Sequence, residues 1–306
     1  MSKRKILVTG GLGHIGSALI RHLSSHNNDI IVVDNLLTQR YCSLFNISGR
    51  ITFLEKNFED LTDQELDVDI VVHLAAITDA AGSFKNKDEL ERVNTLATKE
   101  FFERIYDNGK VKLVVFPSST SVYGKGQSVM IEDEDNISPQ SPYAASKIAI
   151  EEVLKKLQGP TDYLIYRFGT IYGVTPGMRF HTAINKFCYQ AATGQPLTVW
   201  RDNYNQYRPY LDVNLAIMAI LTGINRLDEM KNQTYNVISQ NHRLSDIIEY
   251  IKEIKPEAKV NFVDTPLLNQ HSYFVDGSKI AQLGFPTFDN LKQEIATTLF
   301  SLRGLK

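Results

Sequence analysis

The chain has 306 residues, of which 43% are hydrophobic, and it carries 33 Lys and Arg against 35 Asp and Glu. This composition is that of a globular protein and excludes the disordered, collagen-like and coiled-coil classes, while the length favours two domains or one domain with an elaborated end. A net charge of −2 provides no basic field for a nucleic-acid backbone, so we expect no nucleic-acid partner.

Several features favour a cytoplasmic location. The two cysteines, Cys42 and Cys188, are too few for a disulfide framework. The first apolar run starts at Ile6, which leaves no room for a secretory leader. The longest apolar stretches, such as 215–221, are far shorter than the roughly 20 residues that span a bilayer. We therefore expect a cytoplasmic protein without a membrane partner.

Short β-branched runs alternate with stretches of helical spacing in the first part of the chain. The runs lie at 6–8, 30–33, 51–54, 70–72, 113–116 and 163–166. Continuous apolar runs of this length are typical of strands that are covered on both faces, and such strands belong to parallel sheets. The pattern predicts an α/β fold in which residues 1–172 form a Rossmann-type doubly wound parallel sheet.

The pattern changes after residue 172. A loop with Pro176 and Gly177 leads to a helical stretch near 181–193, a short strand at 197–200, and helices at 213–225 and 244–255. We expect residues 173–306 to form a smaller α/β substrate-binding region. Whether this region is interleaved with the first domain is left open.

A glycine loop, residues 9–16, follows the first strand and opens the first helix. Gly10, Gly13 and Gly16 suit a dinucleotide site, because one glycine permits the tight turn, one admits a pyrophosphate, and one lets helix and strand pack closely. The alternative is a helix start that merely turns tightly. The position between a strand and a helix favours cofactor binding.

Asp34 ends the second strand, 18 residues after Gly16. A carboxylate there accepts hydrogen bonds from the ribose hydroxyls and repels a 2′-phosphate, which predicts NAD rather than NADP. Two alternatives stay open: Asp34 caps the next turn, or Arg40 receives a 2′-phosphate.

Tyr143 and Lys147 are four residues apart on one face of a helix that starts near Pro142. A nearby ammonium and a positive nicotinamide favour the phenolate, which makes Tyr143 a candidate general acid/base. Ser119 lies in a hydroxyl-rich segment, residues 117–124, called the serine loop below. This loop follows the strand at 113–116, so Ser119 can bond the same substrate oxygen. A surface Tyr/Lys pair is the alternative reading.

The motifs occur together and in order: Gly10-x-x-Gly13-x-x-Gly16, Asp34, His73-Leu74-Ala75-Ala76, Asn94, Val122-Tyr123-Gly124 and Tyr143-x-x-x-Lys147. They resemble the extended short-chain dehydrogenase/reductase family, and within it the NAD-dependent nucleotide-sugar epimerases and dehydratases. The resemblance implies that Tyr143 is the catalytic base, Lys147 its ribose-binding partner, and Ser119 the third catalytic residue. His73 is assigned no chemistry. The implied cofactor-binding residues are Gly10, Gly13, His14, Ile15, Gly16, Asp34, Asn35, Asn57, Phe58, Leu74, Ala75, Ala76, Asn94, Tyr143 and Lys147.

The serine loop discriminates among the reactions of this family. Its dehydratases carry an acidic pair where this chain has Thr120 and Ser121, and its decarboxylating members keep a Glu at the position of Ser121. The resemblance is therefore greatest to nucleotide-sugar 4-epimerases, isomerases that work through a keto-sugar and a bound NAD. A 4-keto-sugar reductase, a dehydratase of the same family, and a non-catalytic NAD-binding protein remain alternatives.

The second half carries the expected contacts to a nucleotide-diphosphate sugar. Arg208 resembles the family's diphosphate-binding arginine, for which the planar guanidinium is suited, although a salt bridge at a domain seam is an alternative. Trp200 either stacks on the base or belongs to the core. The implied substrate-binding residues are Thr78, Ser119, Thr170, Arg179, Thr182, Ala183, Trp200 and Arg208.

Three departures from the family pattern leave the base and the sugar open. Thr170 replaces an asparagine, 201–203 replaces a Gly-Asp-Gly turn, and an arginine is missing near 266–269. Arg179 or Arg201 would then rebuild the diphosphate site. The resemblance also implies a homodimer that pairs through helices near 90–107 and 143–157.

Overall fold

The structure, a computed structural model, describes residues 3–78, 84, 86–124, 129–132, 137–264 and 273–305. Within these ranges the strands are β1 Lys5–Thr9, β2 Asp29–Asp34, β3 Ile51–Glu55, β4 Ile70–His73, β5 Leu113–Ser119, β6 Val129–Met130, β7 Asp162–Phe168, β8 Thr170–Tyr172, β9 Leu197–Trp200, β10 Tyr207–Asp212, β11 Gln233–Val237, β12 Gln240–Arg243, β13 Val260–Val263 and β14 Phe274–Val275. The helices are α1 His14–Ser24, α2 Lys87–Glu91, α3 Thr98–Asn108, α4 Pro142–Lys156, α5 Ala183–Ala192, α6 Val213–Asn225, α7 Leu227–Met230, α8 Leu244–Ile254, α9 Ser278–Ala281 and α10 Leu291–Ser301.

The described part of the chain contains a seven-stranded sheet in the order β3-β2-β1-β4-β5-β7-β11. Every neighbouring pair in it runs parallel. The predicted doubly wound parallel sheet is therefore confirmed. The strand order reverses between β1 and β4, and ligands of such sheets bind outside the carboxyl ends of the strands at this point. Gly10 follows β1 there, and Leu74 follows β4.

Side chains of the large sheet alternate between two cores. In β1, Ile6 and Val8 pack into a core that contains residues of α1 and α6, whereas Leu7 packs into one that contains residues of α3 and α4. Fully burying one such side chain contributes about 1.5–3 kcal/mol. The β-branched runs are apolar on both faces because helices cover both faces of the sheet.

The second half of the chain forms a smaller layer beside the carboxyl ends of the large sheet. It contains a mixed sheet, β12-β10-β8, and a parallel pair, β13-β9. A third core joins α5, α8 and α10. The chain also returns to the large sheet after residue 172, because β11 pairs with β7 and α6 packs on α1. Over the ranges given above, no helix is both long and apolar enough to cross a bilayer.

Candidate active site

A cavity of about 600 Å³ lies where the strand order reverses. The ends of β2, β4 and β5, the start of α4 and the segment before α5 contribute to its lining. Of the predicted site residues, Asn94 and Ala183 do not line it. Those that do are Gly10, Gly13, His14, Ile15, Gly16, Asp34, Asn35, Asn57, Phe58, Leu74, Ala75, Ala76, Thr78, Ser119, Tyr143, Lys147, Thr170, Arg179, Thr182, Trp200 and Arg208.

Two glycines let the glycine loop fit between β4 and α1. Gly10 has a φ of +64°, and a Cβ there would lie 2.6 Å from the backbone nitrogen of Ala75. A Cβ on Gly16 would lie 2.5 Å from the carbonyl oxygen of Gly10. Larger residues therefore cannot occupy either position without moving backbone. The loop can approach a ligand as closely as a pyrophosphate requires.

The start of α1 suits an anion. Gly13 precedes the helix, and no side chain caps its first turn. The first N–H groups of a helix lack partners within the helix and carry the positive end of its dipole. Gly13 and Gly16 bring this helix end to the cavity wall, so the residues present fit the pyrophosphate of a dinucleotide.

Two backbone N–H groups hold the Asp34 carboxylate at the cavity. Its Oδ2 accepts from the N–H of Leu12 at 3.0 Å, and its Oδ1 accepts from the N–H of Leu36 at 2.9 Å. Asn35 and Asn57 lie next to it and are joined by a hydrogen bond of 2.9 Å. Arg40 also lines the cavity, and the Asp34 carboxylate opposes the lowering of the Arg40 pKa by burial. This carboxylate, amide and guanidinium set fits an adenosine ribose.

His14 links the glycine loop to the segment that follows β8. Its Nε2 lies 2.8 Å from the carbonyl oxygen of Gly173. Burial lowers the pKa of His14 to about 4, so the ring is neutral at pH 7 and Nε2 donates to that carbonyl. Gly177 donates its N–H to Ser17 Oγ at 2.9 Å. His14 thus lies in the predicted cofactor site, and its ring contacts protein backbone there.

Asn94 supports the cofactor site from behind rather than lining it. It lies in a π-helical segment, Arg92–Ala97, between α2 and α3. Its Oδ1 accepts from the N–H of Ile77 at 2.8 Å, and its Nδ2 donates to the carbonyl oxygen of Ile77 at 2.9 Å. The buried amide is therefore bonded to the backbone of the segment after β4, and its part in cofactor binding stays a prediction.

His73 is a packed residue at the end of β4. It is buried, its Nδ1 lies 2.9 Å from Thr9 Oγ1, and its ring contacts Phe58 and Phe101. Burial lowers the pKa of His73 to about 3. The geometry gives the ring no access to a reacting atom.

Ser119, Tyr143 and Lys147 come together at the centre of the cavity. Ser141 caps α4 by accepting from the N–H of Ala144 at 3.2 Å, with Pro142 in the first turn, and this start places Tyr143 at the cavity wall. Ser119 lines the same cavity, and its hydroxyl lies close enough to favour the Tyr143 phenolate. One turn later, Lys147 Nζ donates to the carbonyl oxygen of Pro117 at 2.8 Å.

The pKa values of the pair differ from the sequence-based expectation. Burial raises the pKa of Tyr143 to about 12, against the opposing effects of the Ser119 hydroxyl and the Arg179 charge. Burial also lowers the pKa of Lys147 to about 8, opposed by Glu151. The expected lowering of the Tyr143 pKa by Lys147 is wrong for the protein alone, because desolvation of the phenolate dominates. The guanidinium that favours the phenolate is that of Arg179.

The substrate side of the cavity contains two arginines. The Arg208 guanidinium lies 5.1 Å from the centre of the Tyr273 ring and donates to Gln206 Oε1 at 3.1 Å. Arg179 donates to Thr78 Oγ1. Thr182 is the residue that immediately precedes α5, and Trp200 is the last residue of β9. Arg179, Thr182, Trp200 and Arg208 line the same cavity as Tyr143.

The departures from the family pattern are partly resolved. Thr170 lines the cavity as predicted. Arg201 is 62% exposed, pairs with Asp264 at 3.4 Å and lies over Phe262, so it is not a cavity residue. The segment near 266–269 lies outside the described residues. Of the two arginines expected to rebuild the diphosphate site, only Arg179 lies at the cavity.

Sequence reasoning missed several cavity residues. Gln140, His181 and Tyr273 line the cavity. Gln140 was detectable because it precedes the helix start that carries Tyr143. No nearby motif pointed to Tyr273, because it lies more than one hundred residues after Tyr143 in the chain. Among the described residues, no group of three His, Cys, Asp or Glu side chains is arranged to hold a metal ion.

Comparison with known proteins gives relatives over the whole chain. The chain is 29% identical to the "Putative UDP-glucose 4-epimerase" of Methanocaldococcus jannaschii, over 95% of each sequence. It is also 28% identical to a trifunctional UDP-glucose 4,6-dehydratase, 3,5-epimerase and reductase of Arabidopsis thaliana, and spans 46% of the length of that protein.

Solved structures share the fold over nearly the full length. TunA, an NAD dependent-NDP-hexosamine 5,6-dehydratase involved in tunicamycin biosynthesis, has a TM-score of 0.88 and 26% identity, with 99% of each chain covered. The UDP-N-acetylglucosamine 4-epimerase from Methanobrevibacter ruminantium, in complex with UDP-N-acetylmuramic acid, has a TM-score of 0.85 and 25% identity, with 98% of each chain covered.

The model of the NAD dependent epimerase/dehydratase family matches residues 6–237, which include the glycine loop, the serine loop and the Tyr143/Lys147 pair. This match confirms the predicted resemblance to nucleotide-sugar enzymes of the extended short-chain dehydrogenase/reductase type. The chain therefore belongs to the NAD dependent epimerase/dehydratase family, and NAD is its cofactor, as the glycine loop and Asp34 predict.

Proposed function

We propose that the protein is a nucleotide-sugar epimerase that inverts the configuration at C4. The observation that carries this proposal is the placement of Ser119 and Tyr143 at one cavity, with a serine loop that carries hydroxyls where a dehydratase needs acids. Ser121 donates to Ser119 Oγ at 2.9 Å, and Thr120 is buried. Epimerisation at one carbon needs one acid/base and no second proton-transfer group for elimination.

Tyr143 is the acid/base of the proposed reaction. Its phenolate accepts the proton of the C4 hydroxyl, and the Ser119 hydroxyl orients that oxygen. NAD, when bound, would supply a hydride acceptor and would supply the hydride again to the opposite face of the keto sugar. Tyr143 then gives the proton back to the C4 oxygen. Arg179 favours the phenolate through its charge, which partly offsets the desolvation of Tyr143.

The remaining residues hold the ligands. Lys147 would hold the nicotinamide ribose, since its ammonium is fixed at Pro117 beside Tyr143. Arg208 would hold the diphosphate, because a guanidinium offers paired donors to phosphate oxygens. Thr182 and Trp200 would contact the base. The relatives named above include a protein in complex with a UDP-sugar derivative, which supports a uridine nucleotide as the first substrate to test.

Incubation with UDP-, dTDP-, GDP- and CDP-sugars, followed by chromatography and NMR of the products, tests the proposal. We expect a C4 epimer from one of these sugars. Accumulation of a 4-keto product without an epimer would contradict it.

Release of NAD by denaturing the purified protein adds an independent test, because an epimerase regenerates its cofactor in each cycle and a reductase must exchange it. Stoichiometric NAD is expected.

A dehydratase is the second candidate. The observation that favours it is the 26% identity to the 5,6-dehydratase TunA over 99% of each chain. A dehydratase would release water and form an unsaturated or keto sugar, which mass spectrometry detects as a loss of 18 mass units. An epimerase leaves the substrate mass unchanged, so the two functions are separated in one measurement.

We also infer that the protein forms a homodimer through the surface of residues 90–107 and 143–157. The helices of this surface pack side by side, and Leu96 is 53% exposed on the π-helical segment. Light scattering after size exclusion is expected to give twice the chain mass of 34.6 kDa, and Leu96→Glu is expected to give monomers. A monomeric wild-type protein would contradict the inference.

A further inference from the structure

We propose that Glu151 and Arg167 form an internal positioning pair that holds the serine loop and keeps Lys147 in place and charged. The inference rests on the proposed roles of Ser119 and Lys147. Neither Glu151 nor Arg167 touches the cavity, so they are positioning residues.

The pair lies entirely inside the protein. Both side chains are 0% exposed, and Arg167 Nη2 lies 2.7 Å from Glu151 Oε2. Arg167 Nε also lies 3.2 Å from each carboxylate oxygen. Desolvation of a buried ion pair commonly equals or exceeds its Coulomb gain, so such a pair is weak evidence for stability. We therefore assign the buried pair a role in positioning the serine loop and Lys147.

The pair holds both ends of the serine loop. Ser118 Oγ donates to Glu151 Oε1 at 2.5 Å, one residue before Ser119. At the other end, Arg167 Nη1 donates to the Tyr123 hydroxyl at 3.1 Å, and that hydroxyl donates to Asn236 Oδ1 at 2.6 Å. The segment between Ser118 and Tyr123 contains Ser119 and the hydroxyls that replace the dehydratase acids. One ion pair therefore fixes the loop relative to α4, β7 and β11.

The same carboxylate supports Lys147. Glu151 lies one turn after Lys147, as Lys147 lies one turn after Tyr143, so the three share one face of α4. Burial lowers the pKa of Lys147 to about 8, and the Glu151 charge opposes that effect. Tyr143 on α4 and His73 on β4 also lie near Lys147, and Arg167 on β7 pairs with Glu151. Glu151 supplies the negative charge in this group of residues.

The pH dependence of NAD affinity tests the pair without any sugar substrate. Calorimetric titration of NAD into cofactor-free protein is performed between pH 7 and 9.5. For the wild type, affinity is expected to fall as pH rises through about 8, because Lys147 loses its proton there. Glu151→Gln leaves the Arg167 charge buried without its carboxylate, so it is expected to lower the thermal midpoint as well as to move the fall to lower pH.

The double variant Glu151→Gln/Arg167→Met separates positioning from folding. It removes both charges, so the thermal midpoint is expected to return towards the wild-type value. The fall in NAD affinity is still expected at a lower pH than in the wild type, and kcat is expected to drop more than KM rises. A double variant with the wild-type pH dependence and kcat would overturn the proposal.

Glu253→Gln is the control. Glu253 lies on α8, its side chain is 52% exposed, and it pairs with Lys292 on the surface. It is expected to change neither the pH dependence nor the thermal midpoint. If no sugar is epimerised by the wild type, the proposed function fails, whereas the NAD titrations still decide the role of the pair.

Discussion

Ser119 and Tyr143 line one cavity, where the Ser119 hydroxyl opposes the rise of the Tyr143 pKa while its Oγ accepts a hydrogen bond of 2.9 Å from Ser121. The two residues come from the end of β5 and the start of α4. In the proposed mechanism, their hydroxyls meet one substrate oxygen.

Replacing Tyr143 with Phe is expected to lower turnover by about 10²–10⁴-fold, because it removes the group that transfers the proton. NAD is expected to remain bound, since the ring still fills its place. Turnover with the active sugar and NAD content after denaturation are the two measurements. Tyr163→Phe, on the outer part of β7, serves as the control and is expected to leave both unchanged. Full activity of Tyr143→Phe would remove Tyr143 from the mechanism.

Ser119→Ala is expected to reduce kcat by about 10²–10³-fold, as the loss of one placed donor to a reacting oxygen commonly does. KM is expected to change little, because in the proposed mechanism Ser119 acts at the reacting carbon and Arg208 holds the nucleotide. Steady-state kinetics measure both. An unchanged kcat would show that Tyr143 works without its hydroxyl partner.

Asp34→Ser is expected to weaken NAD binding by about 10-fold or more, because charged hydrogen bonds contribute about 1.5–3 kcal/mol. It is also expected to raise the affinity for NADP, since Arg40 lines the same cavity and no longer faces a carboxylate. Titration with both cofactors measures the ratio. The double variant Asp34→Ser/Arg40→Ala should lose the gain for NADP; if it keeps the gain, Arg40 is not the phosphate partner.

Gly16→Ala is expected to lower the thermal midpoint and the NAD content together. The added Cβ would lie 2.5 Å from the carbonyl oxygen of Gly10, and the glycine loop would have to move. Gly304→Ala is the matched control, because nothing lies within 4 Å of a Cβ there. An unchanged NAD content in Gly16→Ala would contradict the close packing of the loop.

Stability is expected to fall on acidification below pH 6.5 in a way that depends on His14 and His73. Burial lowers the folded-state pKa values to about 4 and about 3, so the unfolded chain binds these protons first. Each group therefore costs about 1.4 kcal/mol of stability per pH unit between 6.5 and its folded value. Urea denaturation at pH 7, 6 and 5 measures the slope.

The variant His73→Asn isolates one of these groups. It is expected to be less stable at pH 7 but to show a shallower loss between pH 6.5 and pH 4, because its side chain does not titrate there. Carboxylates contribute equally to both proteins and cancel in the comparison. Equal slopes for the variant and the wild type would mean that His73 is not neutral in the folded protein.

Much of the large sheet was predictable, and the exceptions have physical reasons. The six β-branched runs all became strands of this sheet, because burial on both faces leaves a continuous apolar run in the sequence. β11 was not predicted, since it lies at the edge of the sheet and mixes polar with apolar residues. In the smaller mixed sheet, β10 was missed because it contains Pro209, a residue that strands disfavour.

The sequence by itself determined what depends on neighbours along the chain: the glycines that let a loop approach a phosphate, Asp34 at a strand end, and the one-turn spacing of Tyr143 and Lys147. Only the tertiary structure decided what depends on burial and on distant contacts. It placed Asn94 behind Ile77, Arg179 near Tyr143, and Arg167 against Glu151. It also reversed the expected pKa change of Tyr143, because the free energy of desolvation depends on how many protein atoms the whole fold brings around the hydroxyl, which spacing in the sequence does not encode.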